Sequence, residues 1–416
     1  MKAPMNILFL VPYVPNLIRV RPYNLIRHLA AQGHQITLLT LWNGDREQKD
    51  TRQLEQVCHA VYSAPLPLSR SLANSFIALP SRSPLQANYC WQPALTKQLS
   101  QLMSPGNNSY DILHVEHLRG VRYALQIKNQ AQKGQTIPII WDSVDSISML
   151  FKQAAGSSKS MFGRLLGRFE LGRTERYEGW LVDQFDKILV TSQLDKNAYL
   201  SLNPAAGKAV RVLPNGVDLD YFSPDPSIVR EPASLVLSGK MSYHANVTMA
   251  VHLVEKIMPL IWEKRPDVKV YIVGKDPTKE IKSMGKDHRI MVTGTVEDIR
   301  PYLRRASVSV TPILYGAGIQ NKVLEAMACA TPVVSTPQAI SALSLKPGKE
   351  VITAQEPKDF AQAVLCLLDN PLLQREVGEA GRRFVESNHR WEKIVEDLVE
   401  LYSQTIIDKG QQKRTI

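Results

Sequence analysis

Two series of short apolar runs alternate with helical patterns along this chain, and the break between them falls at Pro214-Asn215-Gly216-Val217-Asp218. In the first series the apolar runs are Asn6 to Val11, Ile36 to Leu41, Ile112 to Val115, Ile137 to Trp141, Lys187 to Thr191 and Val210 to Leu213. A helix is predicted from about Pro22 to Gln32, with Gly33 as its stop, and a longer one over roughly 160 to 183. In the second series the runs are Ser234 to Ser238, Val268 to Val273, Arg289 to Thr293, Val308 to Ile313 and Thr331 to Ser335. Helical patterns there cover about Ala245 to Lys264, Val296 to Arg305, Ile319 to Ala328 and Pro357 to Leu368. A last amphipathic stretch, Val385 to Ile407, is built around Trp391, Ile394, Leu398 and Leu401. Strand-helix alternation of this kind requires crossover connections and therefore mostly parallel sheets. The expected class is α/β, with two Rossmann-like domains. The first spans 1–215, a proline-bearing linker 216–234, the second domain 235–388, and the final helix with its tail 389–416. Residues 60 to 105 carry six prolines and read as an irregular, mobile, substrate-facing excursion with short helices.

At 416 residues the chain is long enough for two domains with full cores. No apolar run approaches the roughly 18–20 residues needed to span a bilayer. Asn6 to Val11 is closed by Pro12 and Pro15 and reads as a buried strand rather than a signal peptide. Cys58, Cys90, Cys329 and Cys366 are scattered, with neither a disulfide framework nor a metal spacing, so a reducing cytoplasm is the expected setting. The formal charge of +11 admits nucleic acid, an anionic membrane surface or small anions as partners. No nucleic-acid motif is present, which removes the first. Arg164, Arg168, Arg173 and Arg176 are interleaved with Met161, Phe162, Leu165, Leu166, Phe169 and Leu171. This is either an amphipathic helix on anionic lipid or a solvated helix packed on its own domain, with Glu170, Glu175 and Glu178 balancing its charge.

The chemistry concentrates in Tyr315-Gly316-Ala317-Gly318-Ile319-Gln320-Asn321-Lys322-Val323-Leu324-Glu325-Ala326-Met327-Ala328. An apolar strand feeds a turn with two glycines, and a helix follows. Backbone N–H groups at such a turn can approach an anion, helped by the positive end of the helix dipole. Lys322 and Glu325 are three apart and share a helix face. Together they offer a cation for phosphate and a carboxylate for paired hydroxyls, a set that suits a nucleotide sugar. In parallel sheets ligands bind beyond the carboxyl ends of the strands. Several unusual loops are expected at those ends: Pro12 to Asn16, Glu116-His117, Asp142 to Asp145, Gly239-Lys240, Gly274-Lys275 and Gly294-Thr295. Two sheets facing a central cleft would gather them.

Gly239-Lys240-Met241-Ser242-Tyr243, Asn246, Val273-Gly274, Thr293-Gly294-Thr295-Val296-Glu297-Asp298 and the Gly316 to Ala328 run resemble, in order and spacing, the family-4 retaining glycosyltransferases, and most of all their bacterial polysaccharide-associated branch. Arg19-Val20-Arg21-Pro22-Tyr23-Asn24, Gly33-His34 and Pro214 to Asp218 agree, so the resemblance covers nearly the whole chain. It implies the two-domain GT-B fold, with the donor held mainly by the second domain and the acceptor by the first. The last helix would cross back onto the first domain. It further implies transfer with retention, normally without a metal or other cofactor. Glu325 matches the second carboxylate of the family's paired-glutamate motif, which holds the ribose hydroxyls. The first falls at Ala317, a departure that shifts its contact to the N–H groups of Gly318 and Ile319. Lys240 stands where a diphosphate-binding cation is expected. The usual second lysine falls at Ala245, which leaves Lys322 to supply that charge. Gly239 and Gly316 would approach the phosphates, and Thr295-Val296 the base. Glu116 and His117 follow the strand after which many relatives carry a histidine beside the reacting sugar, and they are the catalytic candidates. Arg19, Arg21, Asp142 and Asp145 are candidates for acceptor or donor phosphate contacts; for the two aspartates helix capping competes.

The expected function is transfer of a hexosyl group from a nucleoside-diphosphate sugar, UDP favoured, to a hydroxyl of a lipid, lipid-linked saccharide or polysaccharide intermediate. The expected location is cytoplasmic, with a peripheral place on the inner face of the membrane as an extension. A nucleotide-sugar 2-epimerase and a non-catalytic sugar-nucleotide-binding relative remain as alternatives. A nicotinamide-dependent oxidoreductase ranks last, because no Gly-x-Gly-x-x-Gly follows the first strand. Asp218-Leu219-Asp220 has the form of a metal-binding triplet, but its place after Pro214-Asn215-Gly216 marks it as turn chemistry.

Overall fold

A computed structural model describes residues 3–104, 110–131, 137–155, 161–316 and 318–415. The chain divides into two compact units, Met1–Pro214 with Trp391–Ile416, and Asn215–Arg390.

The first unit holds strands β1 (Asn6–Val11), β2 (Gln35–Trp42), β3 (Ala60–Pro65), β4 (Ile112–Glu116), β5 (Ile139–Val144), β6 (Lys187–Val190) and β7 (Val210–Val212). They form one seven-stranded sheet in the order β3-β2-β1-β4-β5-β6-β7, with every pairing parallel. Ile7 lies level with Ile36 on one side and Ile112 on the other. Side chains alternate across the sheet. Leu8 and Leu10 enter one apolar layer with Leu39, Leu113 and Trp141. Ile7 and Phe9 enter the other with Ile36, Leu38 and Ile140. The second layer is completed by Trp391, Ile394, Leu398 and Tyr402 of the last helix, Trp391–Thr415. That helix is therefore part of the first unit's core.

The second unit repeats the plan with β8 (Glu231–Ser238), β9 (Lys269–Val273), β10 (Ile290–Gly294), β11 (Ala306–Thr311), β12 (Val333–Ser335) and β13 (Ile352–Thr353). Its parallel order is β10-β9-β8-β11-β12-β13. Strand order reverses beside β1 in one sheet and beside β8 in the other, and each reversal opens a crevice at the carboxyl ends.

Several elements differ from expectation. Residues 60 to 65 form an edge strand rather than an irregular segment, since Thr37 to Trp42 offer a free backbone edge to pair with. A helix, Asp45–Leu54, connects β2 to β3, and its apolar content is too low to read as a packed element. Short helices do follow β3: Leu68–Ala78, Leu85–Tyr89 and Pro93–Leu102. The expected helix of 245–264 is broken by one π turn, Leu253–Ile257, just before Pro259, which cannot donate to the ladder. The C-terminal stretch is two helices, Pro371–Asn388 and Trp391–Thr415, parted at His389. There His389 Nδ1 meets the Asn215 carbonyl at 2.7 Å, and Val217 N–H donates to the His389 carbonyl at 2.8 Å. Asp218 Oδ1 accepts from Tyr221 N–H at 2.9 Å, as a turn residue does.

In the helix Met161–Leu181, the Arg173 side chain is buried and pairs with Glu170 at 2.7 Å. Its other nitrogen donates to the carbonyls of Ala78, Ser81 and Ser83. This corrects the picture of four arginines facing outward: Arg173 is an internal staple. Arg168 and Arg176 are exposed, and the side chain of Arg164 lies outside the described residues. All four cysteines are free thiols. Among the described residues no helix is long and apolar enough to cross a membrane.

The last helix is locked to the sheet by the hydroxyl of Tyr402, 2.6 Å from His114 Nδ1. Both residues are fully buried. Tyr402→Phe strands that nitrogen and is expected to cost about 1–3 kcal/mol of stability, read by chemical denaturation.

Candidate functional site

The carboxyl ends of β1, β4 and β5 bring a set of polar side chains together in the first unit. Arg21, on the helix Val20–Ala31, reaches Asp142 on β5 through Nε at 2.9 Å and a terminal nitrogen at 2.8 Å. Another nitrogen donates to the Pro214 carbonyl at 3.2 Å. His114 Nε2 lies 3.6 Å from the same Asp142 oxygen, and its ring stacks on Phe9 with centroids 4.1 Å apart. Burial pushes Asp142 up, but Arg21 and His114 outweigh it and hold the carboxyl below its usual range. Burial holds His114 neutral by lowering its pKa. Arg21 and Asp142 were expected to reach ligand phosphates or hydroxyls; the structure spends them chiefly on each other, since neither side chain is more than 4 % exposed.

Glu116 ends β4 and is 1 % exposed. Tyr13 donates to its Oε1 at 2.8 Å, while Oε2 is buried without a hydrogen-bond partner. Burial first, and the nearby Asp142 charge second, push its carboxyl up to about 8. Both causes favour the protonated carboxyl. His117 follows with φ 63°, an uncommon backbone state for a non-glycine residue. Its Nδ1 accepts from Arg119 N–H at 3.3 Å, and burial with the Arg119 charge lowers the imidazole to about 3. Asp145 is pushed up to about 7 by burial and by Asp195, and accepts from Thr191 at 3.1 Å. Arg19 pairs with Glu47 at 3.0 Å and lies over the Tyr13 ring. Tyr13 is the residue that sequence reasoning missed; its place in the Pro12-Tyr13-Val14-Pro15 turn after β1 was the available signal.

In the second unit the turns after β8 and β9 touch. A Cβ on Gly274 would lie 1.7 Å from the Gly239 carbonyl oxygen, and one on Gly239 would lie 2.7 Å from Asn246 Nδ2. Both positions have left-handed φ, 152° and 149°. Only glycine fits there. Asn246 Nδ2 donates to the Lys240 carbonyl at 3.0 Å, and Asn246 Oδ1 accepts from Lys322 Nζ at 2.6 Å. The β8 turn and the helix Asn321–Ala328 thus meet through one asparagine. Lys240 itself is exposed. Burial lowers Lys322 to about 8 against the pull of Glu325. It raises Glu325 to about 7 against the pull of Lys322.

The loop before that helix is clipped from outside. Gln338 donates to the Gly316 carbonyl at 2.6 Å, and Thr336 to the Ile313 carbonyl at 2.7 Å. Tyr315 OH bonds His244 Nδ1 and lies 3.1 Å from Thr248 Oγ1. Gly318 and Ile319 are half-buried, Thr295 is exposed and Val296 half-buried. Ala317 lies outside the described residues. Among the described residues no cluster of three or more His, Cys, Asp or Glu side chains is arranged to hold a metal ion. The arrangement sets a glycine-lined turn pair, through Asn246, against Lys322, whose helix also carries Glu325, a chemistry for a diphosphate with a neighbouring diol.

Residues 19–221 match the family described as Glycosyltransferase Family 4, and residues 232–370 match that described as Glycosyl transferases group 1. An uncharacterized 44.6 kDa protein in the cps region of Klebsiella pneumoniae is 20% identical over 385 residues, 89% of this chain and 92% of its own. The phosphatidyl-myo-inositol mannosyltransferase of Mycobacterium leprae is 24% identical over 212 residues, 50% of this chain and 56% of its own, so the match spans about half of that relative. Among solved structures, Anabaena HepE in complex with UDP and glucose superposes with a TM-score of 0.67 at 14% identity, covering 96% of this chain and 100% of that one. Sucrose-phosphate synthase from Thermosynechococcus elongatus gives 0.64 at 18%, covering 97% and 100%. The likeness to solved structures shows a shared fold.

Glu116 supplies a test of the first unit's electrostatics. Its folded pKa of about 8 lies above the ordinary 4.5. The folded chain therefore keeps a proton that the unfolded chain releases, and this contribution to stability is full at low pH and lost as pH rises through about 8. Glu116→Gln has no such loss. Thermal melts across pH should show the variant gaining on the native protein as pH rises; parallel curves would show that Glu116 is ionised in the fold.

Proposed function

The chain belongs to the family-4 glycosyltransferases, with a GT-B fold and hexosyltransferase activity, and from that premise we propose that it moves a hexosyl group from a UDP-sugar, with retention, to a hydroxyl of a lipid or lipid-linked saccharide. Polysaccharide intermediates are the next acceptor class. The observation that carries the donor reading is Lys322, moored by Asn246 to the β8 turn at the Lys240 carbonyl and interacting with Glu325 one helical turn on. A diphosphate meets Lys322, Lys240 and backbone N–H groups of the glycine turns. Glu325 accepts from the two ribose hydroxyls, a charge-assisted pair of bonds. Thr295 and Val296 meet the base. Gly316, Gly318 and Ile319 offer backbone groups to the donor sugar and its phosphate, where Ala317 lacks a carboxylate.

UDP is preferred partly because Anabaena HepE, of the same fold, was solved with UDP and with UDP-glucose. A lipid acceptor is preferred partly from the description of the Mycobacterium leprae relative. In the transfer step the bond between the anomeric carbon and the diphosphate oxygen breaks on one face of the sugar. The acceptor oxygen bonds the same carbon on that face, and its proton passes to the departing diphosphate. In the first unit Glu116, protonated at neutral pH, uses its unpaired oxygen to hold a sugar or acceptor hydroxyl. His117, neutral and pinned by the Arg119 N–H, is a second hydrogen-bonding group there. The Arg21–Asp142 pair positions this set, and Arg19 and Asp145 border it.

Calorimetric titration with UDP, GDP and ADP tests the donor reading. UDP binding is expected, and Glu325→Ala should weaken it by about tenfold to a hundredfold, the loss of hydrogen bonds to a charged group. Unchanged affinity would remove Glu325 from the ribose site. The affinity should also peak between the two pKa values of about 7 and about 8: below them Glu325 gains a proton, above them Lys322 loses one. Glu116→Gln should lower turnover and leave UDP affinity unchanged; equal loss in both would make Glu116 a donor-binding residue.

A further inference from the structure

The helix Leu68–Ala78 is built inside out. Its buried residues are Ser71, Asn74 and Ala78. Asn74 Nδ2 donates to the Trp91 carbonyl at 2.8 Å and to the Tyr89 carbonyl at 3.3 Å, so the helix is moored through polar contacts. Leu68, Leu72 and Phe76, at spacing four and therefore on one face, point outward. Leu72 is 59 % exposed, Phe76 74 % and the adjoining Ile77 72 %. A helix that serves only its own domain turns such a stripe toward the core.

Three further observations bear on what covers this face. The helix starts three residues after the end of β3. In an all-parallel sheet that places its start at the same edge as Glu116 and Asp142. The sequence from Gln56 to Tyr110 contains no Asp or Glu, and Arg70 and Arg82 flank the apolar ridge, both exposed. The Arg173 and Glu170 staple joins residues 78 to 85 to the helix Met161–Leu181. That helix adds the exposed Phe169, whose ring lies under the Arg173 guanidinium that bonds the Ala78 carbonyl, and the exposed Arg168 that precedes it. From Ser146 to Phe169 the sequence again has no acidic residue.

We propose that the Leu68–Leu72–Phe76 ridge with Ile77 and Leu79 is a docking face for an anionic lipid bilayer. The helix lies in the plane of the interface, its apolar side chains enter the acyl boundary, and Arg70, Arg82 and Arg168 meet lipid phosphates. Docking there would present the carboxyl edge of the first unit to acceptors held in the membrane. The inference rests on the lipid-acceptor reading above and names the surface that serves it.

Flotation of the full chain with vesicles of phosphatidylglycerol and phosphatidylcholine, against phosphatidylcholine alone, tests it. Binding is expected to the anionic vesicles and to weaken with salt. Leu72→Ser/Phe76→Ser/Ile77→Ser should reduce partitioning about tenfold or more, given the apolar area withdrawn from the bilayer. Arg70→Gln/Arg82→Gln should lose binding at lower salt than the native chain. These exposed substitutions should leave UDP binding unchanged, so a failure of docking is separable from a failure of the donor reading. Absence of binding to anionic vesicles, or equal binding by the triple variant, would overturn the proposal. So would a native dimer in sedimentation that the triple variant abolishes, because a second copy would then be the occupant.

Discussion

The buried Arg21–Asp142 ion pair is the interaction on which the first unit's carboxyl edge depends. It joins the first helix to β5, takes in the Pro214 carbonyl, and through His114 reaches Tyr402 on the last helix. Burying two charges is costly, and removing one partner of such a pair typically costs about 3–5 kcal/mol because the other is left uncompensated. The pair is therefore poor evidence for stability in itself. What it supplies is geometry and charge: a fixed anion at Asp142 makes ionisation of neighbouring Glu116 harder. Two carboxyls on adjacent strands are thereby pushed apart, Asp142 toward the charged form and Glu116 toward the protonated one.

The second unit solves a different problem, that of letting two backbone turns touch without side chains in the way. Gly239 and Gly274 let two turns touch, and Asn246 closes over them. Lys322 arrives from a separate helix and takes the remaining asparagine oxygen. A cation held this way gives up part of its hydration, which is why its pKa falls. The first unit thus uses a paired charge to tune a carboxyl, and the second uses close backbone contact to seat a lysine.

Much of this was legible in order along the chain. Apolar runs of four to eight residues marked most strands because parallel strands are buried on both faces. β3 escaped notice: it is an edge strand with partly exposed residues and two prolines close by. The pairing of Lys322 with Glu325 was legible because the two sit on one turn of helix, a local relation. The partner of Lys322 was not, since Asn246 is 76 residues away. Arg21 and Asp142, 121 residues apart, were each read as ligand contacts for the same reason. The Arg164 to Arg176 segment was ambiguous in sequence, and Arg173 proved to be spent on carbonyls about ninety residues earlier.

By itself the sequence determined the two parallel-sheet series, the break at Pro214 to Asp218, and the glycine turns with their lysine and glutamate, because periodicity and turn chemistry act over a few residues. Only the tertiary structure decided which charges neutralise one another and which carboxyl keeps its proton. It alone decided that Leu72 and Phe76 face outward while Ser71 and Asn74 face in. Those outcomes depend on distances between segments far apart in the chain, and on burial, which sets the energy of every charge and of every exposed apolar side chain.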